Sequence, residues 1–153
     1  MTPPRPGAAP VDAVLDAVLT DLAAETAGLD DLVAPLAATQ WRTPTPAVGW
    51  TLAHQVAHLA WTDEAALAAA TDPARWEELL AGAAEDPTGF VDRTAEEGAR
   101  MPPAELLGWW REVRARLWDA LAAHPPGARI PWFGPPMSPT SMATARFMET
   151  WAH

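Results

Sequence analysis

Hydrophobic positions in the first part of the chain repeat at steps of three and four residues. They are Val11, Val14, Leu15, Val18, Leu19 and Leu22, followed by Leu29, Leu32, Val33 and Leu36. This spacing predicts one long amphipathic helix, although Gly28 and Pro35 weaken its second half. Residues 39–49 contain Pro44 and Pro46, which remove backbone donors and restrict the residues before them, so this segment is predicted to be a loop.

Capping residues mark where the later helices begin. Thr51 is a plausible N-cap for a second helix that runs to about residue 70, and Asp72 with Pro73 opens a shorter one. Pro103 begins a strongly periodic helix to about residue 123. After a loop over residues 124–137, Ser138 caps a last helix. No stretch alternates in the manner of a β-strand, and the pattern therefore predicts an all-α, antiparallel four-helix bundle with an additional short helical segment.

Composition limits the chemistry that this chain can perform. The net charge is −10 and all ten cationic residues are arginines scattered along the chain, which argues against nucleic acid and anionic membrane surfaces as partners. Cys, Lys and Tyr are all absent. The protein therefore has no thiol nucleophile, Schiff-base amine or phenolic acid of its own, and any thiol chemistry must use a thiol supplied by another molecule.

The length of 153 residues fits one domain. The first ten residues are polar and rich in proline, and they are predicted to form a disordered N-terminal tail before a helical domain over residues 11–153. No apolar leader segment follows them, and no stretch approaches the length of a membrane span. These features predict a cytoplasmic protein.

Three residues have the chemistry of a metal site. Glu149 and His153 are four apart on the last predicted helix and so share one face, and His58 lies in the apolar stripe of the second helix. Two imidazoles and one carboxylate, with the fourth position left to water, describe a catalytic zinc site. The pattern alone also fits a simpler interpretation, because such spacings arise by chance and a single His in an apolar stripe is more often a packing residue.

Three segments carry a resemblance to a known family. The segments Pro44-Thr-Pro-Ala-Val-Gly-Trp-Thr51, His58-Leu-Ala60 and Met148-Glu-Thr-Trp-Ala-His153 resemble the metal-binding domain of mycothiol-dependent maleylpyruvate isomerases, in the DinB-like helical superfamily. The similarity is closest to an uncharacterised metal-binding subfamily and spans nearly the whole chain. It implies that His58, Glu149 and His153 hold a divalent ion, most simply zinc.

The resemblance also implies a reaction class. A zinc-bound thiolate of mycothiol, supplied in trans, would add to a small electrophilic substrate in an isomerisation or an S-transfer. The protein is expected to be a monomer or a homodimer. Two alternatives stay open, a metal-dependent hydrolase and a non-catalytic metal-binding or interaction module. Relatives usually continue beyond the last histidine, which predicts that this chain lacks a C-terminal region. Weak metal affinity and little turnover are therefore expected of this form.

Other residues are candidates for supporting roles. His54, one turn before His58, is predicted to be a fourth ligand, a group that supports a ligand or lines the pocket, or an ordinary first-turn residue. Arg146 is predicted to bind a substrate anion or to pair with Glu149. Asp63 and Glu64 are expected to face solvent. Most tryptophans, with Trp132 and the neighbouring phenylalanine, are expected to pack rather than to line a pocket.

Overall fold

The computed structural model describes residues 11–153, and the predicted tail over residues 1–10 lies outside the described residues. The described part contains six α-helices: α1 (Val11–Val33), α2 (Leu52–Thr71), α3 (Pro73–Glu85), α4 (Phe90–Ala99), α5 (Pro103–Ala122) and α6 (Pro139–Ala152). A single 3-10 turn, Gln40–Arg42, lies between α1 and α2. Among residues 11–153, no helix combines the length and the apolar character that crossing a membrane requires.

The predicted helical-bundle fold is confirmed, with α1, α2, α5 and α6 as its long helices. The predicted caps of α3 and α6 also form. Asp72 accepts a hydrogen bond from the Arg75 backbone at 3.1 Å, and Ser138 accepts one from the Ser141 backbone at 3.1 Å. Two details differ from the prediction. The first helix ends at Val33, two residues before Pro35, and the structure has a second short helix, α4, that the hydrophobic pattern did not indicate.

Helix α2 lies at the centre of the molecule and packs against α3, α4, α5 and α6. It can do so because six of its buried side chains are alanine, which allows neighbouring helices to approach closely. These are Ala53, Ala57, Ala60, Ala65, Ala66 and Ala68. The larger core residues come from the helices around it, and include Leu19, Leu106, Trp110, Leu117 and Leu121, each fully buried. The helix that carries His58 is therefore held from several sides.

Backbone hydrogen bonds order the loops that precede α2 and α6. Before α2, the backbone of Thr45 donates to the Trp50 carbonyl at 2.8 Å, and Gly49 takes a φ of 81°, a value that favours glycine. Before α6, Ile130 and Met137 exchange two backbone hydrogen bonds of 2.7 and 2.8 Å. The first loop thus places Trp50 at the start of α2, and the second places Trp132 before the start of α6.

Two glycines provide a matched test of how closely α4 approaches α2. A Cβ on Gly98 would lie 2.6 Å from the Cβ of Ala57, whereas a Cβ on Gly108 in α5 would meet nothing within 4 Å. We expect Gly98→Ala to lower the free energy of unfolding by about 1–3 kcal/mol through overpacking. Gly108→Ala should raise it by roughly 0.5–1 kcal/mol, the usual gain in a helix interior. Urea denaturation of both variants measures the difference, and equal effects would contradict the proposed close contact.

Candidate metal centre

His58, Glu149 and His153 meet at one end of the bundle, where α2 and the last turn of α6 lie side by side. Glu149 Oε2 lies 3.2 Å from His153 Nε2 and 3.6 Å from His58 Nε2. One potential ligand atom from each residue falls within 4.8 Å of the others, and among the described residues this is the one cluster of its kind. In a tetrahedral zinc site, neighbouring ligand atoms are about 3.3–3.6 Å apart, given metal–ligand bonds of about 2.0–2.2 Å. The two distances from Glu149 are close to this range, and a small shift of the histidines would complete the geometry around a single small ion.

The orientation of His153 is set by a chain of hydrogen bonds from the loop before α2. The hydroxyl of Thr45 donates to the Trp50 carbonyl at 2.9 Å, and accepts from Gln55 Nε2 at 3.0 Å. The amide of Gln55 must then direct its oxygen toward His153, whose Nδ1 contacts that oxygen. Because an amide oxygen only accepts, His153 carries its proton on Nδ1. Its Nε2 lone pair is left facing Glu149 and free to bind an ion.

Gln55 is a functional candidate that the sequence analysis missed. It is 8% exposed and lies three residues before His58, on the same face of α2. A polar residue at that spacing within a buried helix was the available signal. We expect Gln55→Met, which keeps the size and removes the acceptor, to weaken zinc binding by about 10–100-fold, the usual effect of losing such a partner. Competition titration with a chromophoric chelator measures this, with Gln40→Met, at an exposed position of the 3-10 turn, as the control. Equal affinities for both variants would contradict the assignment.

His58 is the more buried of the two candidate imidazole ligands. Burial and the nearby His153 lower the pKa of His58, although Glu149 opposes them. A lowered pKa keeps this ring neutral at physiological pH, which is the state that binds metal. Its Nδ1 is buried and has no hydrogen-bond partner among the described residues, so it can carry the proton while Nε2 faces Glu149.

Trp50 covers the two histidines. Its ring centroid lies 5.4 Å from that of His58 and 6.3 Å from that of His153, which it stacks against at 26°. The indole Nε1–H donates to Asp92 of α4 at 2.8 Å. Helix α4 therefore holds one wall of the centre, and Trp50 is a second residue whose role the sequence analysis did not predict.

The sequence model of the family described as "Mycothiol maleylpyruvate isomerase N-terminal domain" matches residues 22–153. The chain belongs to this family. Two relatives, uncharacterised proteins from two strains of Mycobacterium tuberculosis, are each 58% identical to it over 135 residues. These alignments cover 88% of the chain and 52% of each relative, so the chain spans about half the length of the curated relatives it matches.

Two crystal structures share the fold of this chain. They are the mycothiol-dependent maleylpyruvate isomerase and a histidine-to-alanine variant of it. Each matches with a TM-score of 0.72 at 18% identity, over 91% of this chain and 58% of the solved chain. At that identity the likeness establishes the fold, and the DinB-like bundle predicted from the sequence is confirmed.

The structure places His54 beside the metal cluster but outside it. The backbone N–H of Thr51 donates to His54 Nδ1 at 3.1 Å, so the proton of the ring resides on Nε2, which contacts Glu96 Oε2 at 2.6 Å. Both ring nitrogens thus have partners at the start of α2 and on α4. His54 therefore links α2 to α4, and its predicted pocket role stays a prediction.

The side chain of Arg146 is buried near the three candidate ligands and does not contact them directly. It is 4% exposed, and its guanidinium lies 5.0 Å from the Trp132 ring. No ion pair joins it to Glu149 among the described side chains, and two of its buried N–H groups have no hydrogen-bond partner there. Burial lowers the pKa of Arg146, while Asp63 and Glu149 oppose that shift. The predicted direct pairing with Glu149 is therefore not formed, and its role toward an anion stays a prediction.

The expectation that Asp63 faces solvent was wrong. Its side chain is fully buried, and its Oδ2 accepts a hydrogen bond from Arg114 Nε at 2.7 Å. An arginine far along the chain compensates the burial of this carboxylate, which local periodicity does not reveal. Glu64 is partly buried and accepts hydrogen bonds from Arg75 and Trp109.

Trp132 and Phe133 pack as expected. Trp132 stacks on Trp76 at a centroid distance of 6.0 Å, and Phe133 contacts Trp61, Trp76 and Phe90. This aromatic cluster connects the loop before α6 to α2, α3 and α4. Trp132 also contacts α6, through the guanidinium of Arg146.

Proposed function

We propose that this domain binds one divalent ion, zinc, through His58, Glu149 and His153, and that the ion receives the thiol of mycothiol. The reaction that fits this arrangement is an isomerisation or an S-transfer on a small electrophilic substrate. The observation that carries the proposal is the convergence of the three ligand atoms within 4.8 Å, from two helices. Support for the thiol comes from the family and from the solved relative, which is a mycothiol-dependent enzyme.

The donor set is suited to zinc with an open position. Two neutral imidazoles and one carboxylate leave a bound divalent ion with a net charge of about +1, and catalytic zinc sites use three protein ligands of this kind. When bound, such an ion acts as a Lewis acid that lowers the pKa of a thiol or a water. A residual positive charge favours an anionic sulfur at the free position.

The surrounding side chains prepare the ligands before any ion arrives. Gln55 fixes the tautomer of His153, and burial keeps His58 neutral. The positive charge of Arg146 also disfavours protonation of His58. Fixed, deprotonated ligands reduce the reorganisation that binding would otherwise require.

Trp50 and Arg146 shape what else can reach the centre. The indole of Trp50 stands over both imidazoles and limits access from that side, while its bond to Asp92 holds it in place. Arg146 adds a positive field from behind Glu149, which would attract the carboxylate of an acidic substrate. We propose that Trp50 forms one wall of the site and that Arg146 supplies its long-range positive charge. His54 holds the start of α2 against α4.

The test compares two ligands on metal-loaded and metal-free protein. Mycothiol should bind the zinc form far more tightly than the metal-free form, and an analogue with oxygen in place of sulfur should lose that advantage. In the cobalt-substituted protein, mycothiol should add thiolate charge-transfer bands to the visible spectrum. Calorimetry and absorption spectroscopy measure the two effects.

Two outcomes would refute parts of the proposal. If the thiol and its oxygen analogue bind equally, the proposed role of the thiol is refuted and a hydrolase is favoured. If the wild-type protein takes up neither zinc nor cobalt, the proposed metal centre is refuted and an interaction module is favoured. The His58→Ala variant is the control for thiol binding that does not depend on the metal.

A further inference from the structure

Arg114 joins four helices at one buried point. Its Nε donates to Asp63 Oδ2 on α2 at 2.7 Å, and its Nη1 lies 2.9 Å from the hydroxyls of both Thr26 on α1 and Thr150 on α6. Arg114 itself belongs to α5. One guanidinium thus fixes the mutual positions of the long helices of the bundle.

Apart from Thr26, which is partly buried, this network is shielded from water. Asp63 is 0% exposed, Arg114 4% and Thr150 3%. One hydrogen bond joins the two charges, since Asp63 Oδ1 and Arg114 Nη2 have no partner among the described residues. Hydrogen bonds between charged groups are short and directional, and the other bonds of Arg114 go to the two threonine hydroxyls. Buried charges of this kind are weak evidence for stability, since apolar residues of similar volume often serve as well. A geometric role explains their presence better than an energetic one.

The network lies directly behind the metal ligands. Asp63 follows His58 by five residues on α2, while Thr150 is the neighbour of Glu149 on α6. Thr150 also donates to the Arg146 carbonyl at 2.7 Å, so its hydroxyl is held in the orientation that accepts from Arg114. The path Asp63–Arg114–Thr150 therefore links the helix of one ligand to the turn that carries the other two.

We propose that Arg114, anchored by Asp63, is a positioning residue for the metal centre. It acts by holding Thr150 and thereby setting the place of Glu149 and His153 relative to His58. This inference rests on the proposed metal-binding function and adds to it the residues that fix the spacing of the ligands. Helix α6 is packed mainly against α1, and the bond from Arg114 to Thr150 is a direct polar link from its last turn to α5.

The test uses isosteric changes on α6. Thr150→Val removes the hydroxyl and keeps the shape, Thr150→Ser restores the hydroxyl, and Thr144→Val is the matched control. Thr144 is exposed, lies on the same helix and bonds only to the Thr140 carbonyl. Hydrogen exchange of metal-free protein reports on the last turn of α6, and competition titration reports zinc affinity.

The inference predicts a specific combination of results. In Thr150→Val, amide exchange over residues 149–153 should quicken without metal, and zinc affinity should fall by about tenfold, as when the support of a ligand is lost. Thr150→Ser should restore both, and Thr144→Val should change neither. A purely structural role would lower stability without shifting zinc affinity.

Each contrary result has its own meaning. If amide exchange over residues 149–153 of metal-free Thr150→Val equals that of the wild type, the inference is overturned, whatever the zinc affinity. Faster exchange with unchanged zinc affinity would also overturn it, because the turn would be anchored without positioning the ligands. Failure of the wild-type protein to bind zinc would refute the proposed function itself and is visible in the wild-type titration alone.

Discussion

Replacing His58 with alanine should lower zinc affinity by about 100-fold or more, because even the partners behind a ligand contribute about 10–100-fold. The variant should keep its helix content. His58 lies at one end of the bundle, and the packing of α2 against its neighbours, rather than the ion, holds the helices together. Metal analysis after dialysis and circular dichroism measure the two expectations.

Two other histidines complete this experiment. His124 lies in the segment after α5 and outside the cluster of metal ligands, so His124→Ala should leave zinc content unchanged. His54→Ala distinguishes the alternatives for that residue, since loss of a ligand would lower affinity as strongly as His58→Ala. The partners seen for His54 predict a smaller effect. Zinc content in His58→Ala equal to that of the wild type would refute the assignment of the triad.

The sequence predicted the long helices because their buried faces are built from large apolar residues at helical spacing. Helix α4 escaped that prediction for a physical reason. Its buried residues are Thr94, Ala95 and Gly98, which are small because α4 packs closely onto α2. A face of small residues has little hydrophobic contrast, and only the position of the neighbouring helix explains it.

The meeting of His58, Glu149 and His153 was predictable, because two of them share a helix face and the motifs that resemble the family include all three. The groups around them were not. Gln55 shares a helix face with His58, but its contact is with His153, 98 positions away, and Trp50 contacts both histidines from a loop. Asp63 looked like a surface residue because its partner, Arg114, is 51 positions away. Pairing of distant charges depends on the packing of helices, which the order of residues alone does not specify.

Replacing Asp63 with leucine should lower the free energy of unfolding by about 3–5 kcal/mol, the usual cost of removing one partner from a buried ion pair. The carboxylate is fully buried, and its loss leaves the buried guanidinium of Arg114 without a counter-charge. Arg146 loses an attractive charge as well. Urea denaturation in the presence of a chelator measures the effect without any contribution from bound metal.

The double variant Asp63→Leu with Arg114→Met should recover most of that loss. Removing both charges eliminates the desolvated guanidinium, and Arg146 then loses one attractive and one repulsive neighbour together. Zinc affinity should stay low in the double variant if Arg114 positions α6, so stability and metal binding should separate. If the double variant is as unstable as the single one, the ion pair stabilises the fold itself. If zinc affinity recovers along with stability, apolar packing positions the metal ligands as well as the guanidinium does.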